Sequence, residues 1–482
     1  MSVSGAAVLR PDGSTGTEEL GATLERQRQA FLAAGPPALE ARRADLARLK
    51  RAIRDQAEAI AAVISADFGH RSRHESLVAE VFTALSGIRH VEKHLARWMR
   101  SRRVSVSAEL FPGRARLLYQ PLGVVGIISP WNYPFQLAIM PLIAALAAGN
   151  RVMLKPSELT PRTSEFIAEF LAGLFPSDQV ATVLGGPEIG GAFARLPFDH
   201  LFYTGSTAVG RLVMQAAAAN LTPVTLELGG KSPCILGEDA ALPAAVRSIL
   251  YGKLLNAGQT CIAPDYVLLP EARCEEFIAL AQRTVKRYYP KLAGNPDYTS
   301  IVNDRHYQRL TRYLDEAKAK GARIVELNPA GEALDGTRKL APTLVIEPAE
   351  ELALMREEIF GPVLPIRTYR LLDEAIDYVN RHPRPLALYY FGEDAQKRDL
   401  VLARTVSGGV SVNETLMHVL VEELPFGGVG ASGIGAYHGE IGFQTFSHRK
   451  GVFLQSRFNG AFLLRPPFGR FTDLVLKLLL KR

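Results

Sequence analysis

The chain has 482 residues, a formal net charge of +7 and 47% apolar against 22% charged residues, which suits about three domains and excludes a disordered or fibrous protein. Its 56 basic and 49 acidic residues are interleaved throughout, so no basic patch marks a nucleic-acid partner. The 3 cysteines, Cys234, Cys261 and Cys274, are not closely paired, which excludes a disulfide framework and a structural zinc site.

The first twenty residues carry no basic segment followed by an apolar one, so a reduced, cytoplasmic protein is expected. Residues 18–100 read as amphipathic helices, broken at Gly35-Pro36-Pro37 and Gly69. Residues 102–119 alternate in polarity around Pro112-Gly113 and predict a separate β-hairpin. No charged residue occurs over 120–150, long enough for a membrane span, but Pro130, Pro134 and Pro141 break such a helix. The segment instead predicts a buried strand at 122–128, a loop at 129–134 and a buried helix at 135–148.

Strands at 151–155, 179–184, 200–203 and 223–226 then alternate with helices, predicting a doubly wound parallel sheet. A second α/β series follows Gly229-Gly230, with strands at 232–236, 266–269, 344–346, 364–368 and 386–391. At the C-terminus, Phe471, Leu474, Val475, Leu478 and Leu479 form an apolar helical stripe flanked by Arg470, Lys477, Lys481 and Arg482. That stripe is expected to dock on the chain's own first domain or on a dimer mate, with peripheral contact to an anionic membrane as the alternative.

Chemistry concentrates at a few turns. Cys261 ends Asn256-Ala257-Gly258-Gln259-Thr260-Cys261, a glycine-containing turn after a helix at 246–255, where a thiol is a candidate nucleophile. Glu227 ends an apolar strand before Leu228-Gly229-Gly230, and is a candidate general base with a pKa raised by apolar neighbours or a simple solvated turn residue. Asn132, between Trp131 and Tyr133, is a candidate oxyanion donor or a simple turn former.

Two glycine loops are candidates for phosphate. Gly428, Gly430 and Gly433 match G-x-G-x-x-G by letter but follow no strand, so they read as a decoy. Gly205-Ser206-Thr207-Ala208-Val209-Gly210 follows a strand and opens a helix, where backbone N–H groups meet a pyrophosphate. No acidic residue follows this loop at the usual distance; Lys155 and Glu158 end the earlier strand and are placed to hold a ribose. His90 and His94 have helical metal spacing but no evident third ligand, and read as a solvated face with no metal implied.

Together these segments resemble the aldehyde dehydrogenase superfamily. PWNYPF at 130–135, KPSE at 155–158, FYTGS at 202–206, LELGG at 226–230, GQTC at 258–261, EEIFGP at 357–362 and PFGG at 425–428 occur in the family's order. The run at 424–452 looks most like the dimeric class-three and coniferyl-aldehyde dehydrogenase-like branch.

The resemblance implies that Cys261 attacks the aldehyde, Asn132 and the Cys261 N–H stabilise the oxyanion, and Glu227 activates the hydrolytic water. It also implies that Glu358 holds the nicotinamide ribose beside Phe360, with Trp131 also on the cofactor side, that Lys155 and Glu158 hold the adenosine ribose, and that Ser206 meets the pyrophosphate. NAD is the expected cofactor, with NADP also accepted; the expected assembly is a homodimer.

The implied architecture is a variant Rossmann cofactor domain (1–101, 120–228 and 421–445) and an α/β catalytic domain (229–420). A small β oligomerisation flap (102–119 and 446–460) and a tail (461–482) complete it. A CoA-acylating enzyme and a non-enzymatic binding protein are the competing readings. The loop at 413–418, expected beside the substrate, has no residue diagnostic of the aldehyde.

Overall fold

The computed structural model describes residues 8–10, 15–107, 110–460 and 465–480. Its first sheet has seven strands. From one edge they are Val8–Leu9, Val180–Val183, Arg151–Lys155, Val124–Ile128, His200–Thr204, Val224–Glu227 and Gly433–Ile434. All pair in parallel except the last, which runs antiparallel to Val224–Glu227. After the edge strand Val8–Leu9, the chain enters the middle at Val124–Ile128, winds to one side, then crosses to the other, the doubly wound order that opens a crevice at the strands' carboxyl ends.

The strands are nearly uniformly apolar because helices cover both faces. The helix Gln136–Ala148 has every residue buried, Pro141 included, and Gly149 ends it at φ 91°. Each fully buried Leu or Ile there contributes ~1.5–3 kcal/mol relative to exposure. The uncharged run at 120–150 therefore supplies the centre of a core, and among the described residues no helix is long and apolar enough to cross a membrane.

The second sheet, also of seven strands, has the order Arg323–Glu326, Thr343–Ile346, Val363–Tyr369, Tyr266–Pro270, Pro233–Leu236, Ala387–Phe391 and Gly409–Val412. Only Arg323–Glu326 runs antiparallel. Sequence reading misses this edge strand, Gly409–Val412, and both edge strands of the first sheet. Two are two residues long, one is a half-exposed edge and one begins with glycine, so none shows a sustained apolar period. A third sheet, in the order Ser447–Leu454, Arg114–Pro121 and Arg102–Val104, forms the separate ribbon.

The C-terminal stripe folds as the helix Arg470–Leu480, none of whose residues is buried. Phe471 is 61% and Leu478 64% exposed, so the expected docking on the chain's own first domain does not occur. Lys481 and Arg482 lie outside the described residues.

A buried ion pair joins the helical scaffold to this core. Arg71 and Glu80 have fully buried side chains 2.8 Å apart. The second Glu80 oxygen accepts the N–H groups of Phe135 and Gln136 at 3.0 and 2.8 Å, capping the buried helix where its amides and dipole favour an anion. The Arg71 guanidinium also lies over the Phe68 and Tyr133 rings, at 5.1 and 4.7 Å. Removing one partner strands the other's charge. Arg71→Leu is expected to lower stability by about 3–5 kcal/mol, with partial recovery in Arg71→Leu/Glu80→Gln, as read from denaturant midpoints of the two variants.

Candidate functional site

The carboxyl ends of the first sheet's strands carry most of the predicted residues. Asn132 follows Val124–Ile128, Lys155 and Glu158 follow or end Arg151–Lys155, Ser206 follows His200–Thr204, and Glu227 ends Val224–Glu227. Hydrogen bonds tie these ends together: Ser129 N–H donates to Lys155 O at 3.1 Å and Gly205 N–H to Glu227 O at 3.0 Å. The loop Gly428–Gly433 belongs to this edge as well. Gly433 pairs with Glu227, and a Cβ there would fall 2.3 Å from the Leu226 carbonyl oxygen. Its glycines therefore allow close backbone approach to the strand bearing Glu227.

Opposite lies the turn after the helix Leu242–Leu254. Asn256, Ala257 and Gly258 have φ of 53°, 51° and 77°, three successive left-handed residues that cost energy unless surrounding contacts hold them. The contacts are dense. Asn256 Nδ2 donates to Asn132 O at 2.9 Å and Gln259 O at 3.1 Å. Asn132 Nδ2 donates to the same Gln259 O at 3.1 Å. Arg71 donates to Asn132 O at 3.0 Å. The Gln259 amide donates to Asn256 O and Ser300 O and accepts from Val302 N–H. Glu75 accepts from Asn256 N–H and Thr299 Oγ1. These hydrogen bonds run between the turn and the Asn132 loop and fix one against the other.

The result is a cavity of about 200 Å³ lined by both elements. Among the predicted residues, Trp131, Asn132, Gly205, Ser206, Glu227, Cys261, Glu358 and Phe360 line it. Burial first, then the nearby Glu358 and Glu227 carboxyls, push the Cys261 thiol up to about 12. Its own backbone N–H and that of Ile262 oppose this. Burial alone raises Glu227 well above the ordinary carboxyl value, and neither of its oxygens has a partner among the described residues. Such a carboxyl, free to take a proton and facing a thiol, is suited to general-base work.

Glu358 is pushed up to about 8 by burial and Asp265, opposed by a Gly230 N–H and by Lys231 and Arg309. A Cβ on Gly229 would come 2.1 Å from Glu358 Oε2, so glycine is what lets this carboxyl lie against the turn. Phe360, at φ 52°, meets Trp131 edge-on with ring centroids 5.4 Å apart.

Lys155, Glu158, Thr207, Ala208, Val209 and Gly210 are not part of the cavity lining. Lys155 Nζ donates to Glu158 Oε2 at 3.1 Å. The predicted phosphate loop is shorter than its six letters: Ser206 is the N-cap and Thr207–Ala218 is already helix. Gly210 packs that helix down, since a Cβ would meet Leu228 at 2.6 Å. The helix start still follows the carboxyl end of the strand His200–Thr204, the position at which first-turn amides meet an anion.

Sequence reading misses His306 and Arg309, which also line the cavity. Burial and then two arginines push His306 down to about 4, so it is neutral near pH 7; its ring lies 4.9 Å from Trp131. Arg309 donates to the Glu358 and Ile359 carbonyls at 3.3 and 2.8 Å. Lys231 pairs with Asp265, and Asp265 accepts Ile359 N–H at 3.0 Å, so the loop bearing Glu358 is held from two sides. No local motif surrounds His306 or Arg309; only the helix Asp304–Ala319, capped by Asn303, brings them in.

The chain as a whole is similar to known proteins. The family model "Aldehyde dehydrogenase family" matches residues 13–452. A coniferyl aldehyde dehydrogenase of a Pseudomonas species is 52% identical, covering 96% of this chain and 97% of that protein. The substrate-bound structure of Staphylococcus aureus AldH superposes with a TM-score of 0.89 at 39% identity, covering 95% of this chain and 99% of the other. A Mycobacterium tuberculosis aldehyde dehydrogenase complexed with NAD+ gives 0.83 at 28%, covering 92% and 91%. The chain belongs to the aldehyde dehydrogenase family.

Proposed function

We propose that this aldehyde dehydrogenase oxidises aromatic aldehydes of the coniferyl type to carboxylic acids with NAD, and that Cys261 is its nucleophile. The observation that carries the reading is the convergence of Cys261, Glu227, Asn132 and Glu358 on one cavity at the sheet's carboxyl edge. The aromatic substrate class rests on the 52% identity to a coniferyl aldehyde dehydrogenase. A medium-chain aliphatic aldehyde is the competing substrate class.

The residues present fit a dinucleotide. Glu358 Oε1 is buried without a partner among the described residues, a polar atom that a ribose hydroxyl would satisfy. The helix start at Ser206-Thr207 suits a pyrophosphate. Glu158, with Lys155 beside it, suits the adenosine ribose; its carboxylate disfavours a 2′-phosphate, so NAD is favoured and NADP is accepted through Lys155. When bound, oxidised nicotinamide supplies the hydride acceptor and a positive charge that favours the Cys261 thiolate.

As the Cys261 thiol gives up its proton to solvent, Sγ bonds to the aldehyde carbon and the carbonyl π pair moves to the oxygen, which becomes an oxyanion. One Asn132 amide N–H is engaged by Gln259 O; the other, with the Cys261 N–H, receives that oxyanion. Loss of hydride leaves a thioester on Cys261. Glu227 takes a proton from water as the water oxygen attacks the thioester carbon, and the acid and the thiol are released. Asn132 and Glu227 beside Cys261 favour water over coenzyme A as the acyl acceptor, and retention of all three disfavours a non-enzymatic role.

The reading extends to a cytoplasmic homodimer assembled through the third sheet, with the exposed stripe of Arg470–Leu480 covered by the partner subunit rather than by a membrane. Initial rates with benzaldehyde, cinnamaldehyde, coniferaldehyde and straight-chain C2–C12 aldehydes test the substrate class. Coniferaldehyde is expected to give the highest kcat/KM, and a tenfold advantage for any straight-chain aldehyde would replace the aromatic reading with the aliphatic one.

Single-turnover mixing tests the residue roles. Cys261→Ala is expected to form no reduced cofactor, whereas Cys234→Ala and Cys274→Ala turn over normally. Glu227→Gln is expected to give a full burst of reduced cofactor and then stall at the thioester. Steady turnover in Glu227→Gln at the parent rate would move the base elsewhere.

A further inference from the structure

The helix Thr83–Trp98 carries His90 and His94 one turn apart. Sequence reading treats them as a solvated face without a third ligand, and the fold alters both points. The His90 side chain is only 14% exposed, and its ring lies 4.4 Å from that of His94 and 5.7 Å from Trp98. Glu423 arrives from a segment more than three hundred residues away in sequence, its Oε1 3.8 Å from His90 Nε2. One ligand atom from each of His90, His94 and Glu423 falls within 4.8 Å of the others.

We propose that His90, His94 and Glu423 form a binding site for a borderline divalent transition metal of the zinc, cobalt or nickel class. Ligand atoms about 2.0–2.2 Å from a tetrahedral metal lie roughly 3.4 Å apart, so the observed spacing closes with small rotations of the exposed Glu423 and the half-exposed His94. Two imidazoles and one carboxylate select such metals over magnesium or calcium, and leave a fourth position for water.

Two observations set this cluster apart from a chance meeting of side chains. His90 Nε2 is buried and has no hydrogen-bond partner among the described residues. His94 Nδ1 lies 3.0 Å from the His90 carbonyl oxygen. A carbonyl only accepts, so Nδ1 carries the proton and the Nε2 lone pair is left for a metal, the orienting contact that metal-ligating histidines usually have. Glu423 is also held in place. Gly439, at φ 46°, comes so close to the preceding residue that a Cβ would lie 2.2 Å from Glu422 O and 3.2 Å from His90 Nε2. Glycine there keeps the Glu422-Glu423 turn against the helix.

The site's location gives it a consequence. Glu423 lies on the stretch that leaves the second sheet and returns to form Gly433–Ile434, the strand paired with Glu227. A metal bridging the helix and this stretch would cross-link them and stabilise the folded chain by mass action.

Titration of the full-length protein with Co(II) tests the proposal. One equivalent is expected to bind with visible d–d absorption and without the near-ultraviolet band of a cobalt thiolate, equally in the parent and in Cys261→Ser. His94→Gln and Glu423→Gln are each expected to weaken it at least tenfold. Zn(II) is expected to raise the Tm of the parent and not of His94→Gln; the unliganded Tm of each variant, at the parent value, shows that it folds. Undiminished Co(II) binding in His94→Gln, loss of binding in Cys261→Ser, or no binding to the parent at millimolar Co(II) would each overturn the site.

Discussion

The carbonyl oxygen of Asn132 is held from two directions inside the protein, by the Arg71 guanidinium at 3.0 Å and the Asn256 amide at 2.9 Å. The other features of the cavity depend on this junction. Arg71 ties it to Glu80 and so to the amide end of the fully buried helix Gln136–Ala148. Asn256 ties it to the strained turn that ends in Cys261. The side chain proposed to receive an oxyanion and the sulfur proposed to create it are thereby fixed to one rigid unit, although they come from opposite sides of the cleft.

Rigidity of this kind has an energetic requirement. Three successive left-handed residues are unfavourable in isolation, at ~1–3 kcal/mol for each non-glycine one, and the hydrogen bonds of Gln259, Asn256 and Glu75 offset that cost. Gly258 cannot be exchanged in this arrangement, because a Cβ would lie 2.3 Å from the Gly361 carbonyl oxygen. That same approach places the loop carrying Glu358 and Phe360 against the turn, so the cofactor side and the nucleophile side of the cavity meet through backbone at Gly258 and Gly361. Burial that raises Glu227 and Cys261 is the electrostatic counterpart of this packing: the closed cleft disfavours the charged form of each group.

Much of this was legible in the amino-acid order. Long apolar runs such as Val124–Ile128 and His200–Thr204 announce interior strands, and glycine-flanked turns announce Glu227 and Cys261. The rest depends on contacts between residues far apart in the chain. Arg71 and Asn132 are separated by 61 positions, and Asn256 and Asn132 by 124; neither Arg71 nor Asn256 carries a local pattern that reveals a buried bond. His306, Arg309 and Glu423 are invisible for the same reason, since only the fold brings their carriers to a site. The tail misleads in the opposite way: its apolar stripe is real, but amphipathic spacing does not say which surface covers it.

The central claim is that the Asn132–Asn256 junction, rather than the reacting side chains alone, sets the geometry for attack. Asn256→Gly tests it most directly, because glycine accepts φ 53° without strain while removing both donated hydrogen bonds. In single-turnover mixing, the hydride burst is expected to slow by about 10²-fold, the loss attached to misplacing a reacting group by about 1 Å, with NAD affinity unchanged. A folded Asn256→Gly protein whose burst stays within a few-fold of the parent would contradict it.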